Sequence, residues 1–450
     1  MAAGSLGAVE GLETVELAIR TAITRLGAGL LEDLLAADTG YRGPRAGCGA
    51  GHQAAFVSYR EKTIDTVLGP VRLRRAWYHC AACGHGLAPR DAELGIGRAS
   101  MSPGLAKMTA RAAATVPFAK AARLLAELAG VDLTVKRAER SAEATGAAAA
   151  RVIDAQTDAI CSRQVIPLPP PQPVPDMLYI AVDGTGVPMV PAATEGRAGK
   201  AEDGRARTRE VKLACLFTQT TLDEEGRPVR DPGSSSYLAT FEPAERFGQL
   251  AAAEAHRRGA GHIRQLTVLG DGAAWIWNLA DQHFPAATQI VDLYHAREHL
   301  HDLATLATRL LRHSHPGWLA ERLAELDAGD IDALLAAGRA LKFIGSLSRE
   351  RDKALAYFEN NAHRMHYARF RDLGMFVGSG TVEAGCKAVI GQRLKLSGMR
   401  WGIPGATAIA TLRCQEASNR WEEIWQRPHY QTSTAGQGIC QRQHTQTATG

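Results

Sequence analysis

Residues 167–176 read PLPPPQPVPD, six prolines in ten positions. Proline has no amide hydrogen and a fixed φ, so such a stretch enters neither a helix interior nor a central strand. It must run extended, as a linker assigned to residues 166–176. The patterns on its two sides differ in kind. The chain of 450 residues is therefore predicted to hold separate folding units, within the two to four its length allows.

On the N-terminal side, residues 1–38 carry Leu12, Val15, Ile19, Ile23, Leu26, Leu30 and Leu34 at three- and four-residue intervals, which predicts an amphipathic helix or helix pair over 5–36. Residues 39–100 follow. A Gly-rich stretch holds Cys48 and His52, and 53–79 alternate in the β manner around Leu68-Gly69-Pro70, delivering the chain to Cys80 and Cys83. The set Cys48-x3-His52 and Cys80-x2-Cys83 has the ligand types and paired spacing of a structural Zn²⁺ site, with His79 and His85 as alternatives to His52. Zinc would order a region with little core of its own. Residues 101–165 read as helical and alanine-rich. Within them, 117–130 ends in glycine, and Asp132 or Thr134 caps a second helix that carries Lys136, Arg137 and Arg140. That is the outline of a helix-turn-helix, and equally of an ordinary helical hairpin.

Beyond the linker, strands are predicted at 177–190, 210–222, 235–241, 263–271 and 287–293, with helices at 243–258 and 273–283. Three strands in succession, then β–α–β alternation, predict an α/β fold with a mixed sheet: a meander on one side and parallel strands on the other. Residues 294–372 read as helices, and 427–450 as a polar, disordered tail.

Two apolar runs of this sheet end in aspartate, Asp183-Gly184-Thr185 and Asp271-Gly272. If their strands are neighbours, both carboxylates reach one end of the sheet, where two converging oxygen ligands suit magnesium or manganese. Glu383 is the candidate third acid, placed in the first turn of a helix that begins after Gly378-Ser379-Gly380, with Lys387, Arg393, Lys395 and Arg400 trailing it. A metal-binding carboxylate with cations behind it suits a phosphodiester. An ordinary first-turn acid, favoured by the helix dipole, would look the same.

Charge points the same way. The chain's formal net charge is +5, and residues 39–100 alone carry nine Arg/Lys against four Asp/Glu, 9 − 4 = +5. That local excess is the footprint of a phosphate-binding surface, or of a solvated basic hairpin. Eight cysteines in a chain of this size make no disulfide scaffold, and no run approaches the ~18 apolar residues of a membrane span. Without a secretory signal, the cytoplasm is the expected compartment and no membrane partner is expected.

Taken in order, GPVRLRRAWYHCAACGHGLAPRD (69–91), YIAVDGTGVP (179–188), VLGDGAAWIW (268–277), DLYHAREHL (292–300) and SGTVEAGCKAVIGQRLKLSGMRW (379–401) resemble the DDE transposases of bacterial insertion sequences. The ISKra group, distantly similar to Mutator-like transposases, is the specific likeness, and it runs from about residue 40 to 425. The resemblance implies an RNase H-like catalytic core of strand order 3-2-1-4-5 in two parts, 177–299 and 377–426, around an all-α insertion at 300–376. It makes Asp183, Asp271 and Glu383 the catalytic triad, at separations of 271 − 183 = 88 and 383 − 271 = 112 residues, holding two Mg²⁺ (or Mn²⁺) ions. Asp292 and His295 match the family's accessory D/C-x-x-H element. Many relatives carry two cysteines in the first zinc knuckle, where this chain has Cys48 and His52.

The implied activity is transposition: binding of the element's terminal inverted repeats, then DNA strand cleavage and transfer into target DNA. The implied assembly is a homodimer or larger synaptic complex, nucleoid-associated in a bacterium. Arg72, Arg74 and Arg75 are the expected phosphate contacts of the zinc region. Different readings are a non-catalytic or inactive DNA-binding remnant, and an RNase H-like nuclease without a joining step. A metallopeptidase rests only on His295, Glu298 and His299, an H-x-x-E-H pattern with no supporting context.

Overall fold

The computed structural model describes residues 11–96, 99–167, 174–199, 203–311, 317–378 and 380–426. The middle of the proline-rich linker and the polar tail at 427–450 lie outside them. Two compact units emerge: one from residues up to Ala113, Phe118–Ala142 and the chain from Glu422, the other from Ala114–Pro117 and Glu143–Trp421.

The first unit opens with α1 (Leu12–Ala36), a single helix. A four-stranded antiparallel sheet follows, β1 (Arg45–Gly47), β2 (Gln53–Thr66), β3 (Gly69–Cys80) and β4 (His85–Leu87), in that spatial order. The β2–β3 hairpin turns at Gly69, whose φ of 103° is open to glycine at little cost. Alternation buries Ala54, Ala76, Tyr78 and Cys80 on one face, with Cys48, Phe56, Cys83 and Leu87 packed against them. Helices α2 (Pro89–Glu93), α3 (Pro103–Thr115) and α4 (Phe118–Leu124) come next, the last running on as one π turn to Ala129. Gly130, at φ 67°, ends it, and α5 (Val135–Cys161), which counts with the second unit from Glu143 on, begins after Thr134, whose Oγ1 accepts from the Arg137 amide. Of the two caps open to the sequence, Thr134 is the one used.

The second unit is built on a mixed sheet. Its strands are β5 (Met177–Pro188), β6 (Thr208–Leu222), the short β7 (Pro228–Arg230), β8 (Ser236–Thr240), β9 (Gln265–Gly270) and β10 (Thr288–Val291). β5 pairs antiparallel with β6, and β6 antiparallel with both β7 and β8. On its other side β5 pairs parallel with β9, and β9 parallel with β10. The α6 (Ala244–Arg257) and α7 (Ala274–His283) crossovers make those parallel pairings possible. Five of six β5 residues from Leu178 to Asp183 are buried, as expected of a strand covered on both faces. Tyr179 stacks on Phe217 at 4.9 Å, and Phe376 meets both rings edge-on.

Helices α8 (Leu293–Leu311), α9 (Trp318–Ala328), α10 (Ile331–Ala340), α11 (Ser346–Asn361) and α12 (Tyr367–Asp372) form the helical stretch. α8 is continuous through the boundary placed at 299/300. The strand expected at 287–293 is shorter, because Asp292 leaves it to cap α8, accepting from the amides of Tyr294 and His295. Helix α13 (Gly380–Gly385) passes through a π segment, Cys386–Gly391, into α14 (Gln392–Leu394). α15 (Ile403–Ala417) completes the unit, and α16 (Glu423–Gln426) counts with the first. No helix among the described residues is long and apolar enough to cross a membrane.

Candidate functional site

Cys48 and His52 lie in the β1–β2 turn, Cys80 closes β3, and Cys83 lies in the β3–β4 turn. Because the strands stand in the order β1-β2-β3-β4, the two turns open at the same end of the sheet. Each is tightened by a backbone bond, Cys48 N to His52 O at 3.0 Å and Gly84 N to Cys80 O at 2.9 Å. Cys48 Sγ and Cys83 Sγ are 3.7 Å apart, and His52 Nδ1 is 3.1 Å from Cys83 Sγ. Two thiolates on one tetrahedral zinc, each at ~2.3 Å, stand about 3.8 Å apart.

All four ligand atoms lie within 4.8 Å of one another, the one such His/Cys/Asp/Glu group among the described residues. The group can hold a metal such as zinc, with His52 rather than His79 or His85 as the histidine. Its electrostatics ask for a cation. An amide bond from Ala50 lowers the Cys48 thiol to about 6, whereas the neighbouring sulfurs of Cys80 and Cys48, together with burial, push Cys83 up to about 12. Three sulfurs this close cannot all ionise without a positive partner.

The second site is a row of acids. β5 and β9 pair with a constant offset, Ala181 with Leu269, 269 − 181 = 88, and the same offset carries Asp183 to Asp271. β9 and β10 pair Gly270 with Val291, an offset of 21 that carries Asp271 to Asp292. Carried one or two residues past the last paired positions, these offsets align Asp183 with Asp271 and Asp292, the latter two directly after β9 and β10, at the carboxyl end where open α/β sheets place their ligands. The row is held locally. Asp183 Oδ1 accepts from the Gly184 amide at 2.7 Å, and Asp271 Oδ1 from the Ala273 amide at 2.8 Å.

His295, one turn into α8, faces the row. Its Nδ1 is 3.6 Å from Asp292 Oδ1, an ion-pair rather than a hydrogen-bond distance. Asp292, with Asp271 and Asp183 adding, lifts the imidazole to about 9 against the cost of burial, so it is cationic at neutral pH. Burial raises the Asp183 carboxyl and the charge of Asp271 adds to that, while a bond from the Cys386 thiol, the Gly184 amide and His295 oppose it.

Two partners of the row were not foreseen. Cys386 is buried beside Asp183, one helical turn beyond Glu383, and that spacing is the signal that could have found it. Tyr357 Oη donates to the Asp271 carbonyl at 2.9 Å, and its ring stacks on His299 at 3.7 Å. A Cβ on Gly272, at φ 98°, would stand 2.6 Å from that ring, so the residue after Asp271 must be glycine. Nothing near Tyr357 in sequence announces this.

Glu383 is on α13, the helix leading to Cys386, but its half-exposed carboxylate accepts from Lys387 Nζ at 2.6 Å. Asp183, Asp271 and Glu383 do not come within the 4.8 Å that the cysteine group achieves. The H-x-x-E-H histidines form no such group either: His295 turns to Asp292 and His299 to Tyr357.

The expected DNA contacts divide. Arg72, Arg74, Arg140, Lys387, Lys395 and Arg400 are exposed, and Lys395 Nζ donates to Thr185 Oγ1 at 2.8 Å, two residues from Asp183. Lys136 is exposed and paired with Glu139 at 2.8 Å. Arg75 and Arg393 are corrections. Arg75 is buried in an ion pair with Asp91 at 2.9 Å, because the alternation of β3 turns it inward. Arg393 is 0% exposed, packed over the Trp401 ring at 5.1 Å. Both side chains are turned into the protein rather than toward solvent. Arg137 spends its guanidinium on Asp65 and Ser100. No known protein family matches this chain, and no curated protein matches it.

Proposed function

We propose that this chain is a DDE-type DNA transposase that cuts and joins phosphodiesters at the acid row of its mixed sheet. The observation that carries the reading is the row itself, Asp183 on β5 with Asp271 and Asp292 one residue past the ends of β9 and β10, and cationic His295 beside them. Leaving out three-residue β7, the strands lie β8-β6-β5-β9-β10, which is third, second, first, fourth, fifth along the chain. These pairings support the RNase H-like core that the resemblance implies. The donor set fits a divalent cation: Asp183 and Asp271 are hard oxygen ligands whose mutual repulsion a cation would relieve. Mg²⁺ or Mn²⁺, when bound, supplies Lewis-acid stabilisation of the phosphorus centre and a more acidic water.

The chain's own residues do the rest. Asp292 fixes His295 through Nδ1 and leaves Nε2 to meet a phosphate oxygen. Lys395, beside Thr185, meets the backbone of the strand being cut. Glu383, now paired with Lys387, would be the third oxygen ligand of that cation. In the first unit the zinc group and exposed Arg72 and Arg74 serve end recognition. The test is incubation with DNA bearing inverted repeats from beside the gene, in Mg²⁺ or Mn²⁺. Asp183→Ala and Glu383→Gln are expected to lower cleavage and joining by roughly a thousandfold or more. Activity retained in either removes that residue from the triad. The pairing of Glu383 with Lys387 is the one observation favouring a chain that binds ends without cutting, and no cleavage by the wild type would establish that reading instead.

A further inference from the structure

Helix α1 is 25 residues long and buries none of them. One flank lies on the first unit's own sheet. A Cβ on Gly27 would stand 3.4 Å from Leu68, Leu35 packs on the cluster of Ile64, Leu73 and Ile96, and Glu32 accepts from the Arg72 amide. That flank is not the apolar one. Leu12, Ile19, Ile23, Leu26, Leu30 and Leu34 point away from it and expose between 54% and 72% of their surface. With Val15 they recur at steps of 3, 4, 4, 3, 4 and 4 residues. Over 34 − 12 = 22 residues this is an eleven-residue repeat, 3.67 per turn, which keeps the stripe nearly straight along the helix.

We propose that the outer face of α1 is a dimerisation surface, and that its occupant is α1 of a second copy of this chain. The six exposed side chains offer roughly 700 Å² of apolar surface, close to the ~800 Å² per partner of a specific dimer and above the ~300–600 Å² of the largest patch on a typical monomer. Ala18, Ala22 and Gly29 line one border of the stripe and leave holes for the partner's leucine and isoleucine side chains. A lipid surface is a poor match. The helix carries Arg20 and Arg25 against Glu13, Glu16, Glu32 and Asp33, 2 − 4 = −2, whereas interfacial helices are rich in Lys and Arg.

The test is sedimentation equilibrium of the full-length protein at micromolar concentration without DNA, so it does not depend on the proposed reaction. The wild type is expected at twice the chain mass. Ile23→Asp combined with Leu26→Asp is expected to weaken association by about a hundredfold or more, with circular dichroism and bound zinc unchanged. Arg25→Glu, on the far side of the helix, is expected to leave the dimer intact. A photo-crosslinker at position 23 in the otherwise wild-type chain is expected to join two copies, which holds even if the double variant misfolds. A monomeric wild type, a dimer that survives both aspartates, equal loss in Arg25→Glu, or no crosslink would each overturn the proposal.

Discussion

At the scale of single residues, the acid row shows how one side chain takes two tasks. Asp292 is 1% exposed and caps α8 with the oxygen that also faces His295 Nδ1. Removing its charge while keeping its shape separates those tasks. Asp292→Asn keeps an oxygen for the cap but loses the anion. The His295 imidazole is expected to fall from about 9 toward the ordinary histidine range. A ¹H–¹⁵N titration of the imidazole reads this directly, and an unmoved value would assign the elevation to Asp271 and Asp183 instead. Arg393 carries the opposite lesson. Its place after Lys387 made it look like a phosphate contact, yet it is 0% exposed beside Trp401. A residue's charge is legible in sequence, but its direction on a short irregular helix is not.

At the scale of elements, the Cys48/His52/Cys80/Cys83 group, which can hold a metal such as zinc, joins the turns of a sheet whose outer strands are three residues each. Strands that short gain little from pairing alone, so the bound ion would contribute folding energy to the turns that hold them. Purified protein is expected to carry one zinc per chain by atomic absorption. Stripping it, or changing Cys83→Ser, is expected to speed amide exchange in β1 and β4 by about a hundredfold or more, with β5 and β9 unaffected. Equal protection with and without metal would show that the four side chains meet without depending on an ion. The hairpin, the knuckles and both ligand pairs were legible because their signals are local: glycines at positive φ, alternation, and cysteine spacing. The spacing also named His52 first, and the convergence of the strands sets it, rather than His79 or His85, beside the three cysteines.

At the scale of the whole molecule, the second unit buries the carboxylate of Glu254, near the end of α6, among arginines. Arg420 lies 2.9 Å away, Arg257 3.1 Å and Arg258 3.4 Å. Burial alone would raise its pKa, but the charges of Arg420 and Arg257 outweigh it and the net shift is downward. A carboxylate lowered in the folded state stabilises above its ordinary value and loses that contribution as the pH falls through the lowered one. The second unit is thus expected to lose stability in acid, below about pH 4.5. Glu254→Gln leaves the arginines without their anion and is expected to cost about 3–5 kcal/mol at pH 7, while flattening that acid limb. Denaturant unfolding from pH 3 to 7 checks both, and a variant as stable as the wild type would show that the arginines find other partners.

The sequence by itself determined the strands and helices with strong periodicity, the turns with glycine or proline, the paired zinc ligands, and the two aspartates that close apolar runs. Each of these depends on neighbours a few residues away. Tertiary structure alone decided that Asp183, Asp271 and Asp292 share a row, because register between β5, β9 and β10 joins residues 88 and 21 positions apart. It also decided that Cys386 and Tyr357 stand beside that row, and that Glu383 turns to Lys387. The same holds for α1. Its apolar stripe is plain in the sequence, but only packing shows that the sheet takes the other flank and leaves the stripe in solvent. Periodicity fixes which residues share a face, and the rest of the fold chooses what that face meets.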